Sequence, residues 1–130
     1  MQPVTYEDIN EESSASFLLP AWKSNGHVFT SGQVGTDANG NLPEDLAEQT
    51  RNAFANLKKV LEASGSGLDK ILKVLLFISD GSYSSVVNKI YAETFPHKPA
   101  RSCIVVSFPN KASKVELECV AEYEDLTPKL

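Results

Sequence analysis

Cysteine, histidine and basic charge are all scarce in this chain of 130 residues, and each shortage removes a class of function. The two cysteines, Cys103 and Cys119, and the two histidines, His27 and His97, lack the spacing of a zinc-binding set. Their positions support no Ser/His/Asp or Cys/His arrangement either. Neither a metal site nor a cofactor is expected; both histidines read as surface residues and both cysteines as buried, reduced thiols. Twelve Lys and Arg against 17 Asp and Glu leave a formal net charge of −5. That balance disfavours a protein that grips nucleic acid by neutralising phosphates.

No apolar run approaches the roughly 20 residues of a membrane helix. The opening MQPVTYEDINEESSAS is acidic and polar. It has neither the regions of a secretory signal nor the arginine-rich pattern of a transit peptide, so the cytoplasm is the expected location. Residues 1–16 read as a polar segment at the start of one domain spanning 1–130. Gly65-Ser66-Gly67 follows a helical pattern instead of preceding one, the wrong context for a dinucleotide-binding loop.

What is present is a run of well-punctuated elements. Phe17 to Lys23 reads as an extended segment, with Pro20 marking an edge or bulge. Asn25-Gly26 is a hairpin signal, so the next run, HVFTSGQVG, should return antiparallel. In a regular strand His27, Phe29, Ser31 and Gln33 share one face, and Gly32 marks a bulge or a close backbone approach. Asp45 and Glu48 fit a capping box for a helix whose stripe is Leu46, Ala53, Leu57, Val60 and Leu61, with Gly65 as its stop. Ile71 to Ile78 is apolar on nearly both faces, as in a central strand. A second helix follows over about Tyr83 to Phe95, with Val86, Val87, Ile90 and Phe95 buried, and Pro99 should keep Lys98 extended. Arg101 to Phe108 and Lys114 to Glu124 then suggest an antiparallel hairpin.

The expected class is α+β: one mixed six-stranded sheet with two helices packed on one face, of which the order β-β-α-β-α-β-β reads five strands along the chain. Two helices leave the other face bare. If it carries Phe29, Val105, Leu117 or their neighbours it needs a cover, and a homo-oligomer supplies one.

Arg101 stands where an apolar strand begins. A guanidinium there needs an acceptor, either Glu116 or Glu118 on a neighbouring strand or the carboxylate of a ligand held bidentately. In KVELECVAEYE the residues Val115, Leu117, Cys119 and Ala121 line one face and Glu116, Glu118, Glu122 and Glu124 the other. The glutamates form either a solvated face or, at one position, a half-buried carboxylate able to relay a proton.

TSGQVG (Thr30 to Gly35), AEQTRNAFANLKKVLEASG, VNKIYAETF, KPARSC and VELECVAEYE together resemble the RidA (YjgF) family over about Phe17 to Tyr123. The resemblance implies a chorismate-mutase-like fold and a homotrimer with ligand sites between subunits. It also implies cofactor-free hydrolysis of 2-imino acids, or their 2-aminoacrylate tautomers, to 2-keto acids and ammonia: a 2-iminobutanoate/2-iminopropanoate deaminase. Arg101 matches the family's carboxylate clamp, Cys103 a pocket residue, Ser31 and Gly32 the backbone that approaches the ligand, and Glu116 the glutamate beside the attacking water. Asn88 and Tyr91 also fall on family positions, where helix packing is an equal reading. Leu18, thirteen residues before Ser31, stands where many deaminating members carry tyrosine, unless Tyr6 or Tyr83 replaces that hydroxyl. A trimeric binding protein for small carboxylic acids is the alternative reading, and a ribonuclease or translation inhibitor a third.

Overall fold

The structure is a computed structural model and describes residues 1–12, 15 and 17–124. Residues 13, 14 and 16 of the expected polar segment lie outside that range. In chain order the elements are β1 (Gln2–Val4), β2 (Ala21–Ser24), β3 (His27–Thr30), β4 (Gln33–Val34), helix α1 (Leu46–Ala63), β5 (Ile71–Ile78), helix α2 (Ser84–Thr94), β6 (Ala100–Val105) and β7 (Val115–Glu122). They form one mixed sheet ordered β1-β2-β3-β7-β5-β6, with β4 also paired to β7. The α+β class and the two helices on one face are as the sequence pattern indicates. The sheet has seven strands, not six.

The expected order β-β-α-β-α-β-β contains five strands, and two features bring the sheet to seven. The opening segment, polar on average, buries Val4 and Ile9 in the core and adds β1 to the sheet edge. The strand after Asn25-Gly26 is broken in two. Phe29 lies opposite Val120 and Gln33 opposite Leu117, so the β3–β4 side takes one residue more than β7 between the same two points. This is a bulge, as Gly32 suggests. It also inverts the alternation beyond it: Gln33 falls on the face of Leu117, away from Phe29, where a regular strand would have kept the two together.

The expected hairpin between the last two strands does not form. Strand β5 lies between them, parallel to β6 and antiparallel to β7. The crossover β5–α2–β6 imposes the parallel pairing, because α2 carries the chain back along the helix side before β6 starts. The first expected strand is also shorter, since pairing to β3 begins only at Ala21, after Pro20.

Helix α1 starts as its capping signal indicates: Asp45 Oδ2 accepts from the Glu48 amide at 2.9 Å. It ends in a Schellman turn, with Gly65 at φ +79° and the Ser66 amide donating to Leu61 O at 2.8 Å. Ala53, Leu57, Val60 and Leu61 are buried against the sheet and α2, together with Val28, Val74, Leu76, Leu117 and Ala121. On α2 Val87, Ile90 and Tyr91 face inward, whereas Val86 is exposed. Lys98 is not extended: its φ of +52° lies in the left-handed region, a strain of about 1–2 kcal/mol for a residue with a Cβ.

On the opposite face of the sheet Trp22 and Phe29, paired across β2 and β3, are 41% and 50% exposed, and Ile104 of β6 is 45% exposed. Leu117 is not among them; it lies fully buried under the helices. Val105 is exposed but sits opposite Ile78, on the helix side.

Candidate functional site

Arg101 lies opposite Val74 in the parallel β5–β6 ladder, and Val74 is buried under the helices. Partners in such a ladder point the same way, so Arg101 reaches toward α2. Its Nη1 donates to Asn88 Oδ1 at 2.8 Å, and its guanidinium carbon stands 4.7 Å from the centre of the Tyr91 ring. A cation over an aromatic face is held in orientation as well as attracted. Among the described residues the single ion pair is Lys59–Glu11, so Arg101 has no carboxylate partner there. Within one chain Glu116 and Glu118 do not supply one, because β5 separates their strand from Arg101. The salt-bridge reading of Arg101 is thereby corrected.

Cys103, two residues along β6, shares the Arg101 side and is exposed, contrary to the expectation of a buried thiol. The sheet ends at β6, so no strand covers it there. Cys119 is the buried one; burial pushes its thiol up to about 12.

Glu116 points the other way. It alternates with Val115 and Leu117, both buried under the helices, and so projects from the open face. Gly32 of the bulge lies against it: a Cβ at Gly32 would stand 2.8 Å from Glu116 Cδ. The glycine thus permits the close approach that its cost in a strand implies. Burial, and then the charge of Glu118, raise the Glu116 carboxyl above its usual range.

Ser31 is fixed beside it, with its amide donating to Pro20 O at 2.8 Å and its hydroxyl to Leu19 O. Thr30 Oγ1 accepts from the Cys119 amide at 3.0 Å, which satisfies a backbone donor where the bulge interrupts the ladder. Leu18, Ser31 and Gly32 line one cavity of about 160 Å³. Tyr6 shares that wall; Tyr83 lies elsewhere, in the turn before α2.

Within one chain the sequence-predicted residues therefore fall into two groups. Arg101, Cys103 and Asn88 lie at the β6 edge on the helix side, and Leu18, Ser31, Gly32 and Glu116 lie around the bulge. The supports of the second group were not legible as such. Asn56 Nδ2 donates to Val34 O at 2.8 Å and to Thr36 O at 3.1 Å, and Asn52 Nδ2 to Gly35 O at 3.3 Å. The signal was two asparagines four residues apart on a helix, which binds nothing by itself. Of the histidines, Nε2 of His97 lies 2.9 Å from Ile71 O and Nδ1 of His27 lies 3.1 Å from Asn25 O, both structural contacts.

A family model described as Endoribonuclease L-PSP matches residues 10–123. The mitochondrial protein mmf1 of Schizosaccharomyces pombe is 42% identical over 114 residues, covering 84% of this chain and 70% of its own. The chloroplastic Reactive Intermediate Deaminase A of Arabidopsis thaliana is 32% identical over 124 residues, covering 91% of this chain and 66% of its own. Among solved structures, E. coli TdcF with bound serine superposes with a TM-score of 0.82 at 26% identity, covering 95% of this chain and 99% of that one. A match that spans nearly the whole described domain, by sequence and by fold, makes this chain a member of the RidA (YjgF) family.

Proposed function

We propose that the protein hydrolyses 2-imino acids to 2-keto acids and ammonia, in sites assembled from two subunits of a homotrimer. The observation that carries this reading is a guanidinium without a carboxylate. Arg101 is braced by Asn88 and Tyr91 and has no ion-pair partner among the described residues. An arginine offers five N–H donors, and one is taken by Asn88, so a bidentate grip on a ligand carboxylate remains available. The deaminase name of the Arabidopsis relative and the serine bound to TdcF, itself a carboxylate ligand, fit that chemistry.

The opposed orientation of the two groups supports a shared site. Arg101 and Cys103 of one subunit meet Leu18, Ser31, Gly32 and Glu116 of the next, where the β6 edge of one subunit comes against the open face of its neighbour. Arg101 holds the substrate carboxylate and so presents one face of the imine carbon. Water adds to that carbon, and its proton passes to Glu116, whose raised pKa suits it to both taking and returning a proton. Glu116 returns that proton to the nitrogen, giving the carbinolamine; the hydroxyl proton then passes, again by way of Glu116, to the amino group as the C=O forms and the C–N bond breaks, releasing ammonia and the keto acid. The cytoplasm is the proposed location. An RNA-cleaving role, as in the family model's description, fits less well with the −5 charge and with Glu116 and Glu118 on the open face.

The test is ammonia release from imines generated in situ, with uncatalysed hydrolysis subtracted. Arg101→Ala and Glu116→Gln should each lose activity by about 10²-fold or more. Mixing the two inactive proteins through unfolding and reassembly should restore turnover at roughly a quarter of the sites, those whose two halves are both intact. Mixtures as inactive as their parents would overturn the shared site; a wild type that never accelerates hydrolysis would overturn the deaminase.

A further inference from the structure

The C-terminal end of α2 and the segment returning to β6 border an open cleft of about 190 Å³, distinct from the cavity at the bulge. Its walls are Tyr91, Phe95, Pro96 and Pro99, and Lys98 and Arg101 border it. No carboxylate lines it, and neither cation forms an ion pair among the described residues. A volume of about 150 Å³ suffices for benzene, so this cleft has room for a phenyl or branched aliphatic group, one side of it facing water. Lys98 holds its place on the rim in a strained, left-handed conformation, and strain of this kind gathers at ligand clamps.

We propose that this cleft binds a medium-sized apolar monocarboxylate, its ring or branched chain against Tyr91, Phe95 and the two prolines and its carboxylate between Lys98 and Arg101. Apolar walls with two unpaired cations complement that chemistry and no other simple class: a neutral hydrocarbon leaves the cations unused, and a small keto acid leaves the walls wet. A carboxylate held there occupies N–H donors of Arg101, so such a ligand competes with any small acid the same guanidinium binds. The binding itself does not rest on the deaminase reading.

Calorimetric titration of 3-phenylpropanoate and of pyruvate into the wild-type protein, Ala92→Phe and Lys98→Gln tests this. Ala92 is exposed and also lines the cleft, so a phenyl group there fills the space without disturbing the core. Wild type should bind 3-phenylpropanoate at least about tenfold more tightly than pyruvate, and Ala92→Phe should abolish that preference. Lys98→Gln, a surface change that leaves the cleft intact, should weaken 3-phenylpropanoate by roughly two- to fivefold at low salt. Equal affinities in the wild type, or a preference that survives in Ala92→Phe, would overturn the proposal. Ammonia release does not enter the measurement, so a protein that deaminates nothing leaves the result readable.

Discussion

Glu116 is a half-buried and Tyr91 a buried titratable group, and at both the fold should tolerate or gain from losing the titrating atom. The Glu116 carboxyl is raised by burial first and by Glu118 second. A carboxyl whose folded pKa exceeds its unfolded one favours the fold while protonated. That contribution is complete below the ordinary carboxylate range and is lost as pH rises through the folded value. Glu116→Gln should therefore be more stable than the wild type near neutrality, with the difference shrinking as pH falls toward about 4. Urea unfolding across that range checks it, and a constant difference would count against a raised Glu116. Tyr91 keeps a buried hydroxyl with no hydrogen-bond partner among the described residues, while its ring supports Arg101 and packs 4.6 Å from Phe95, centre to centre. Tyr91→Phe keeps the ring and removes the orphan, so stability should hold or rise by about 1 kcal/mol. A loss of that size would mean the hydroxyl finds a partner in the assembled protein.

Among the elements, the strand from Gln33 onward depends on how closely it can approach α1. A Cβ at Gly35 would stand 2.8 Å from the carbonyl carbon of Gln49, with backbone and not a yielding side chain in its way. Gln49 is itself fixed: its side chain donates to Pro43 O at 2.9 Å and Ala112 O at 3.1 Å, and accepts from the Lys114 amide. Gly35→Ala should cost about 2–3 kcal/mol, read as a lowered denaturation midpoint with unchanged slope. The same contrast between local and distant constraint explains what the sequence disclosed. The Asp45 cap, the Gly65 stop and the bounds of β5 are set within a few residues and were readable. Insertion of β5 between β6 and β7 depends on residues dozens of positions apart, and no periodicity records it. The site divided likewise: Arg101, Gly32 and Glu116 could be named from their neighbours in the chain. That Arg101 and Glu116 leave opposite faces of the sheet follows only from register.

For the whole molecule the decisive feature is the bare side of the sheet. Trp22, Phe29 and Ile104 lie there with about half their surface in water, next to Glu116 and Glu118. Phe29→Glu would put a charge at the middle of that apolar patch, where burial is costly without a partner. The variant should sediment as a smaller species than the wild type and lose ammonia release in parallel, since each proposed site needs two copies. An unchanged mass would mean the subunits associate elsewhere. The chain also carries its own indicator of the event. Trp22 is its one tryptophan and lies directly across from Phe29. Indole emission shifts to the blue as water leaves the ring, so dilution of the unlabelled protein should redden its fluorescence as the subunits part, making the affinity of assembly measurable from light alone.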